Sequence, residues 1–92
     1  MELDQIRARI DELDTQIIAL WKERMALCAE AARVKARAGK ATLQAGRESE
    51  ILKKVGEAAG PLEEYAVTVY RSVLQASRAY QDSLRDGEGR AQ

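Results

Sequence analysis

The chain has 92 residues, 46% of them hydrophobic and 33% charged, the balance of one soluble globular domain and not of a multidomain, disordered or membrane-spanning protein. Fifteen Lys and Arg cancel fifteen Asp and Glu, and the aromatics are limited to Trp21, Tyr65, Tyr70 and Tyr80, so the field and stacking platform of a nucleic-acid binder are missing. With no histidine and the single Cys28, His-based triads, Cys/His metal sites and an internal disulfide are excluded, and no metal or cofactor is expected.

From Leu3 to about Ala38 the residues Leu3, Ile6, Ile10, Leu13, Ile17, Leu20, Trp21, Leu27, Cys28 and Ala31 recur at spacings of three and four, without Gly or Pro between them. This predicts one long helix, with Asp4 as its N-cap. Gly39 and the stretch to Gly46 break the period and read as a loop. A second helix is predicted from about Arg47 to Ala58, with Ile51, Leu52 and Val55 on one side. Gly60-Pro61 ends it, and Pro61 suits the first position of a third helix running to about Leu84. That helix draws its apolar face from Leu62, Tyr65, Ala66, Val69, Val73, Ala76 and Tyr80. The expected architecture is all-α, a single helical domain over 1–86 with a flexible tail over 87–92.

Length then bears on assembly. A helix of about 35 residues spans roughly 50 Å, whereas a compact chain of this size has a radius of gyration of only about 12 Å. Two shorter helices cannot cover so long a stripe, which predicts an intertwined homodimer. The amino terminus carries neither the basic nor the apolar region of an export signal, so the cytoplasm is the expected compartment.

Charges on the apolar stripes mark a candidate site. On the first helix Arg24 and Lys35 fall near the centre of the stripe, eleven residues and therefore roughly 16 Å apart, within reach of one small object between them. Glu48 shares the face of Ile51, Leu52 and Val55, with Arg47 at its edge. Ser77 and Gln81, one turn apart at the flank of the third helix's apolar face, offer a hydroxyl and an amide in one direction. Arg7 lies roughly 25 Å from Arg24 along the helix, too far to share a ligand within one chain, and an antiparallel partner would have to deliver it.

Taken singly, each residue has a plainer explanation. Arg24 and Glu48 suit a buried ion pair, Lys35 can extend to water, Ser77 and Gln81 can be solvated, and Trp21 and Cys28 read as packing. Together they are harder to explain without a ligand, because each uncompensated buried ion costs several kcal/mol. The excess of positive charge points to an anion with more than one carboxylate.

The set resembles the all-helical class of chorismate mutases from about Ile6 to Gln81. Arg7-Ala-Arg-Ile-Asp-Glu-Leu-Asp14 is similar to that family's opening Arg-x-x-Ile-x-x-Leu-Asp. Glu23-Arg24 resembles its helix-centre arginine, Val34-Lys35 its lysine, Arg47-Glu48 its Arg-Glu pair after the loop, and Ser77-x-x-x-Gln81 its last-helix serine and glutamine. The resemblance implies an intertwined homodimer, an Arg7 supplied by the opposite subunit, and rearrangement of chorismate to prephenate in aromatic amino acid synthesis. It also implies roles. Arg7 of the partner and Arg24 would clamp the substrate carboxylates with Ser77 and Arg47 in support, Lys35 and Gln81 would donate to the ether oxygen, and Glu48 would accept from the ring hydroxyl. Gln44 stands where bacterial relatives often carry an aspartate, so only a backbone contact to that hydroxyl is expected there. Two alternatives share the fold: a lyase releasing pyruvate from isochorismate, and a non-catalytic dimerisation or regulatory module. The resemblance also leaves room for a complex with another enzyme of the shikimate pathway.

Overall fold

The computed structural model describes residues 2–90, with side chains through Arg85. Its regular structure among those residues is all helical. Helix α1 is Leu3–Arg37, α2 is Ala45–Ala59, a single 3-10 turn covers Gly60–Leu62, and α3 is Glu63–Arg90.

Helix α1 begins earlier than the spacing suggests. Glu2, not Asp4, occupies the N-cap, and its backbone N–H donates to Gln5 Oε1 at 2.9 Å. Asp4 falls in the first turn, where a carboxylate faces the positive end of the helix dipole. The other end is closed by a Schellman motif. Lys40 N–H donates to Lys35 O at 2.8 Å and Gly39 N–H to Ala36 O at 3.2 Å, with Gly39 at φ 70°. This fixes the backbone that carries Lys35 and starts the loop that folds back over it.

Helix α2 extends two residues before Arg47 and one beyond Ala58. Gly60, at φ 56°, turns the chain into the 3-10 segment that contains Pro61, so the α-helical part of α3 starts at Glu63 and not at Pro61. Glu63 and Glu64 in the first turn suit its dipole. The backbone of α3 is helical through Arg90, so the tail expected over 87–92 is helical to that point, and positions 91 and 92 lie outside the described residues.

Helix α3 packs against both other helices. The buried residues of α1 are Ala29 and Ala32, one turn apart, and such small side chains let a neighbouring backbone come close. The face that α3 buries differs from the predicted one. Leu74, Ser77 and Gln81 are its buried residues, whereas Leu62, Tyr65, Val69 and Tyr80 are exposed. The predicted stripe mixed two adjoining faces, one turned to α1 and α2 and one left open.

Every residue from Glu2 to Glu23 is exposed, so more than half of α1 projects as an arm. The radius of gyration is 16.6 Å and the molecule measures 57 × 27 × 14 Å, well beyond the radius of about 12 Å of a compact chain of this length. Along the arm Ile17, Ile18, Leu20 and Trp21 meet Val69, Tyr70 and Val73 of α3 around an apolar groove of about 550 Å³. Among the described residues no helix is long and apolar enough to cross a membrane.

Candidate active site

Where α1 ends, α2 begins and α3 crosses both, a cleft of about 420 Å³ opens. Such a volume suits a small metabolite. Its walls include Arg24, Cys28 and Lys35 from α1, Thr42 and Gln44 from the loop, Arg47 and Glu48 from α2, and Ser77, Arg78 and Gln81 from α3. Leu27, Ile51 and Leu74 supply apolar wall between them. Seven of the eight residues expected from sequence therefore meet in one place.

Arg7 is the exception. It sits exposed on the arm and lines no part of this cleft, in keeping with its axial distance of roughly 25 Å from Arg24.

A chain of hydrogen bonds ties the polar wall together. Lys35 Nζ donates to Thr42 O at 3.0 Å and to Gln81 Oε1 at 2.9 Å. Gln81 Nε2 donates to Ser77 Oγ at 3.1 Å, and Ser77 Oγ donates to Cys28 Sγ at 3.0 Å. Arg24 Nη1 reaches the same sulfur at 3.6 Å, and its guanidinium lies 6.0 Å from the Tyr70 ring centroid, a cation–π distance. Lys35 is thus held inside the cleft and does not extend to water. Ser77 and Gln81, each 5% exposed, lie at the centre of the buried face of α3 and not at its flank. Cys28, read as packing from the sequence, is half-buried and bonded on the cleft wall.

The ion pair imagined between Arg24 and Glu48 does not form. Glu48 Oε1 is paired with Arg78 Nη1 instead, across the α2–α3 contact. Arg47 lies at the rim, its guanidinium 3.6 Å from Glu50 and largely exposed. Gln44 turns its side-chain amide onto the loop, donating from Nε2 to Ala41 O at 2.8 Å, while its backbone carbonyl accepts from Glu48 N–H at 3.0 Å. The loop is also held from α3, by Arg85 Nη1 donating to Thr42 Oγ1 at 3.2 Å.

Four cationic side chains, Arg24, Lys35, Arg47 and Arg78, face this cleft against the single carboxylate of Glu48. The excess suits an anion, and close cationic donors can both bind carboxylates and stabilise an oxygen that gains negative charge. Arg78 and the Thr42 carbonyl escaped the sequence reading. Arg78 was accessible to it: it follows Leu74 by four residues and precedes Gln81 by three, on the same helical face. The carbonyl of Thr42 carried no such signal, because it depends on the path of the loop.

The family model for chorismate mutase type II matches residues 6–82, a span that runs from the arm beside Arg7 to just past Gln81. No curated protein and no solved structure matches the chain. On that match, covering most of its length and every residue of the cleft wall named above, the chain belongs to the chorismate mutase type II family, isomerases that convert chorismate to prephenate in aromatic amino acid biosynthesis.

Proposed function

We propose that the cleft between Arg24, Lys35, Glu48 and Gln81 is where this chain binds chorismate and rearranges it. The reaction is intramolecular: the ether C–O bond breaks as a C–C bond forms, and negative charge collects on the ether oxygen. No nucleophile or proton acceptor is required. What accelerates it is confinement of the substrate in its compact reactive conformation and cationic donors at that oxygen.

Lys35 is the principal donor. Its ammonium is already held in the cleft by Thr42 O and Gln81 Oε1, and exchanging one of these partners for the ether oxygen costs little reorganisation. Gln81 presents its oxygen to Lys35 and its N–H to Ser77. To donate to the same ether oxygen it turns its amide once Lys35 has moved onto the substrate. Arg24, steadied by Tyr70 and Cys28, takes a substrate carboxylate, with Ser77 and Arg47 beside it, and Glu48 accepts from the ring hydroxyl. Gln44 contributes through the loop it braces.

Within one chain Lys35 serves the ether oxygen, Arg78 is paired with Glu48 and Arg47 stays exposed at the rim, so the remaining carboxylate is assigned to Arg7 of a second copy. An intertwined homodimer is supported by area. The chain exposes 7194 Å², whereas a compact monomer of 10.2 kDa exposes about 5,300 Å². The excess lies where Ile6, Ile10, Leu13 and Ile17 of the arm and Tyr65 and Val69 of α3 stand open. Obligate homodimers bury areas of this order.

The observation that carries this reading is the convergence of Lys35 and Gln81, 46 residues apart, at 2.9 Å on the wall of a cation-rich cleft. A non-catalytic module has no need of that convergence, and the lyase alternative is not favoured by the family match. The test is to add chorismate, and separately isochorismate, to the purified protein and identify the product. Prephenate from chorismate is expected. Pyruvate from isochorismate with no prephenate would reverse the reading.

A further inference from the structure

Glu48 stands in the first turn of α2, and the group that meets its carboxylate comes from α3: Arg78 Nη1 on Glu48 Oε1. Both side chains are largely withdrawn from water, 20% exposed for Glu48 and 33% for Arg78. The pair borders two spaces. One is the cleft, and the other is a smaller hollow of about 220 Å³ lined by Glu48, Leu52, Arg71, Leu74, Gln75 and Arg78. The ion pair is therefore part of the partition between them.

A glutamate in this position has somewhere worse to go. Three other cations, Arg24, Lys35 and Arg47, line the same cleft, and in the empty state a free carboxylate on three rotatable bonds would collapse onto one of them. That collapse would neutralise a cation meant for the substrate and withdraw the acceptor meant for the ring hydroxyl. An arginine planted behind the carboxylate prevents both outcomes. It engages Oε1 and leaves Oε2 as the acceptor, whereas Arg71, the other arginine of the hollow, does not line the cleft.

We propose that Arg78 is a positioning residue for Glu48, holding its carboxylate on the α2–α3 wall so that it serves the substrate's ring hydroxyl and is not spent on Lys35 or Arg24. The inference rests on the reading of the cleft as the chorismate site. Arg78 acts through Glu48 and touches no reacting atom.

The test is a double-mutant cycle on chorismate turnover with Arg78→Met, Glu48→Gln and the two combined, together with Arg78→Lys. Arg78→Met is expected to lose about tenfold in kcat/KM, chiefly through KM, the size of coupling found between contacting residues. Arg78→Lys should recover most of that loss. The double variant should fall within about twofold of Glu48→Gln alone, because removing the arginine costs nothing more once the carboxylate is gone. A structural role would instead give additive losses, and an additive cycle, or an Arg78→Met enzyme as good as wild type, overturns the inference. If Arg78→Met does not fold, Arg78→Gln completes the same cycle. A wild-type protein that fails to accelerate chorismate rearrangement overturns the reading of the cleft itself, whereas an additive cycle in an active enzyme overturns only the role of Arg78.

Discussion

Lys35 Nζ lies 2.9 Å from Gln81 Oε1, and this bond joins the end of the longest helix to the middle of the last one across the cleft. It also sets which way the glutamine amide faces, since an ammonium can only donate and must be met by the carbonyl oxygen. The amide N–H is then left for Ser77 Oγ at 3.1 Å.

In the proposed mechanism, losing the Lys35 ammonium leaves the negative charge on the ether oxygen uncompensated when the bond breaks. Lys35→Ala is expected to lower kcat by about 100-fold or more with a smaller change in KM, as loss of one donor does in comparable oxyanion sites. Steady-state kinetics on chorismate check the split. A Lys35→Ala enzyme with full kcat would remove Lys35 from the mechanism.

Gln81→Glu preserves volume but puts an acceptor-only carboxylate beside Lys35 at neutral pH. It cannot donate to the ether oxygen and it pairs the ammonium away from substrate. The expected result is kcat lowered by on the order of 100-fold at neutral pH, rising again toward acid pH as the new carboxyl group takes up a proton and regains an O–H donor. A pH series of kcat on this variant and wild type checks it, and a flat difference across the series would contradict it.

Gly39 carries the left-handed turn that closes the Schellman motif one turn beyond Lys35. Gly39→Ala should destabilise the protein by about 1 kcal/mol, since the Cβ meets no neighbour but the positive φ strains any L side chain. Thermal or urea unfolding checks the size. An unchanged midpoint would mean that the loop relaxes without cost.

The arm explains why stability and assembly should not separate. Ile17 is 58% exposed in the single chain and borders the apolar groove with Trp21 and Val69. Ile17→Asp should dissociate the proposed dimer, and the wild-type melting temperature should rise with protein concentration. Sedimentation and melts over a wide concentration range read both. A wild type that sediments as one chain would contradict the shared site.

Much of this was legible beforehand for a simple reason: helical period locates charges on apolar faces, and Arg24 and Lys35 stood out near the centre of the first helix's stripe, with Glu48 on the face of Ile51, Leu52 and Val55. The same period failed on α3. Its exposed Tyr65, Val69 and Tyr80 are as apolar as a core stripe, so the sequence blended the face turned to α1 with the face left open, and Ser77 and Gln81 looked peripheral when they are buried. Arg78 was not singled out although it shares the helical face of Leu74 and Gln81, and only the position of α2 reveals its partner Glu48. The N-cap was missed by two residues because Glu2 and Gln5 form their bond through a backbone N–H that composition does not announce.

The most direct test of the account is complementation between two defective chains. Arg7→Ala and Lys35→Ala are each expected to be nearly inactive on chorismate, but refolded together in equal amounts they should regain about a quarter of wild-type activity, because half of the dimers are mixed and each mixed dimer rebuilds one intact site from Arg7 of one chain and Lys35 of the other. If Arg7 served the cleft of its own chain, neither site of a mixed dimer would be whole. A mixture no more active than its separate components would contradict the claim that two copies of this chain build each site together.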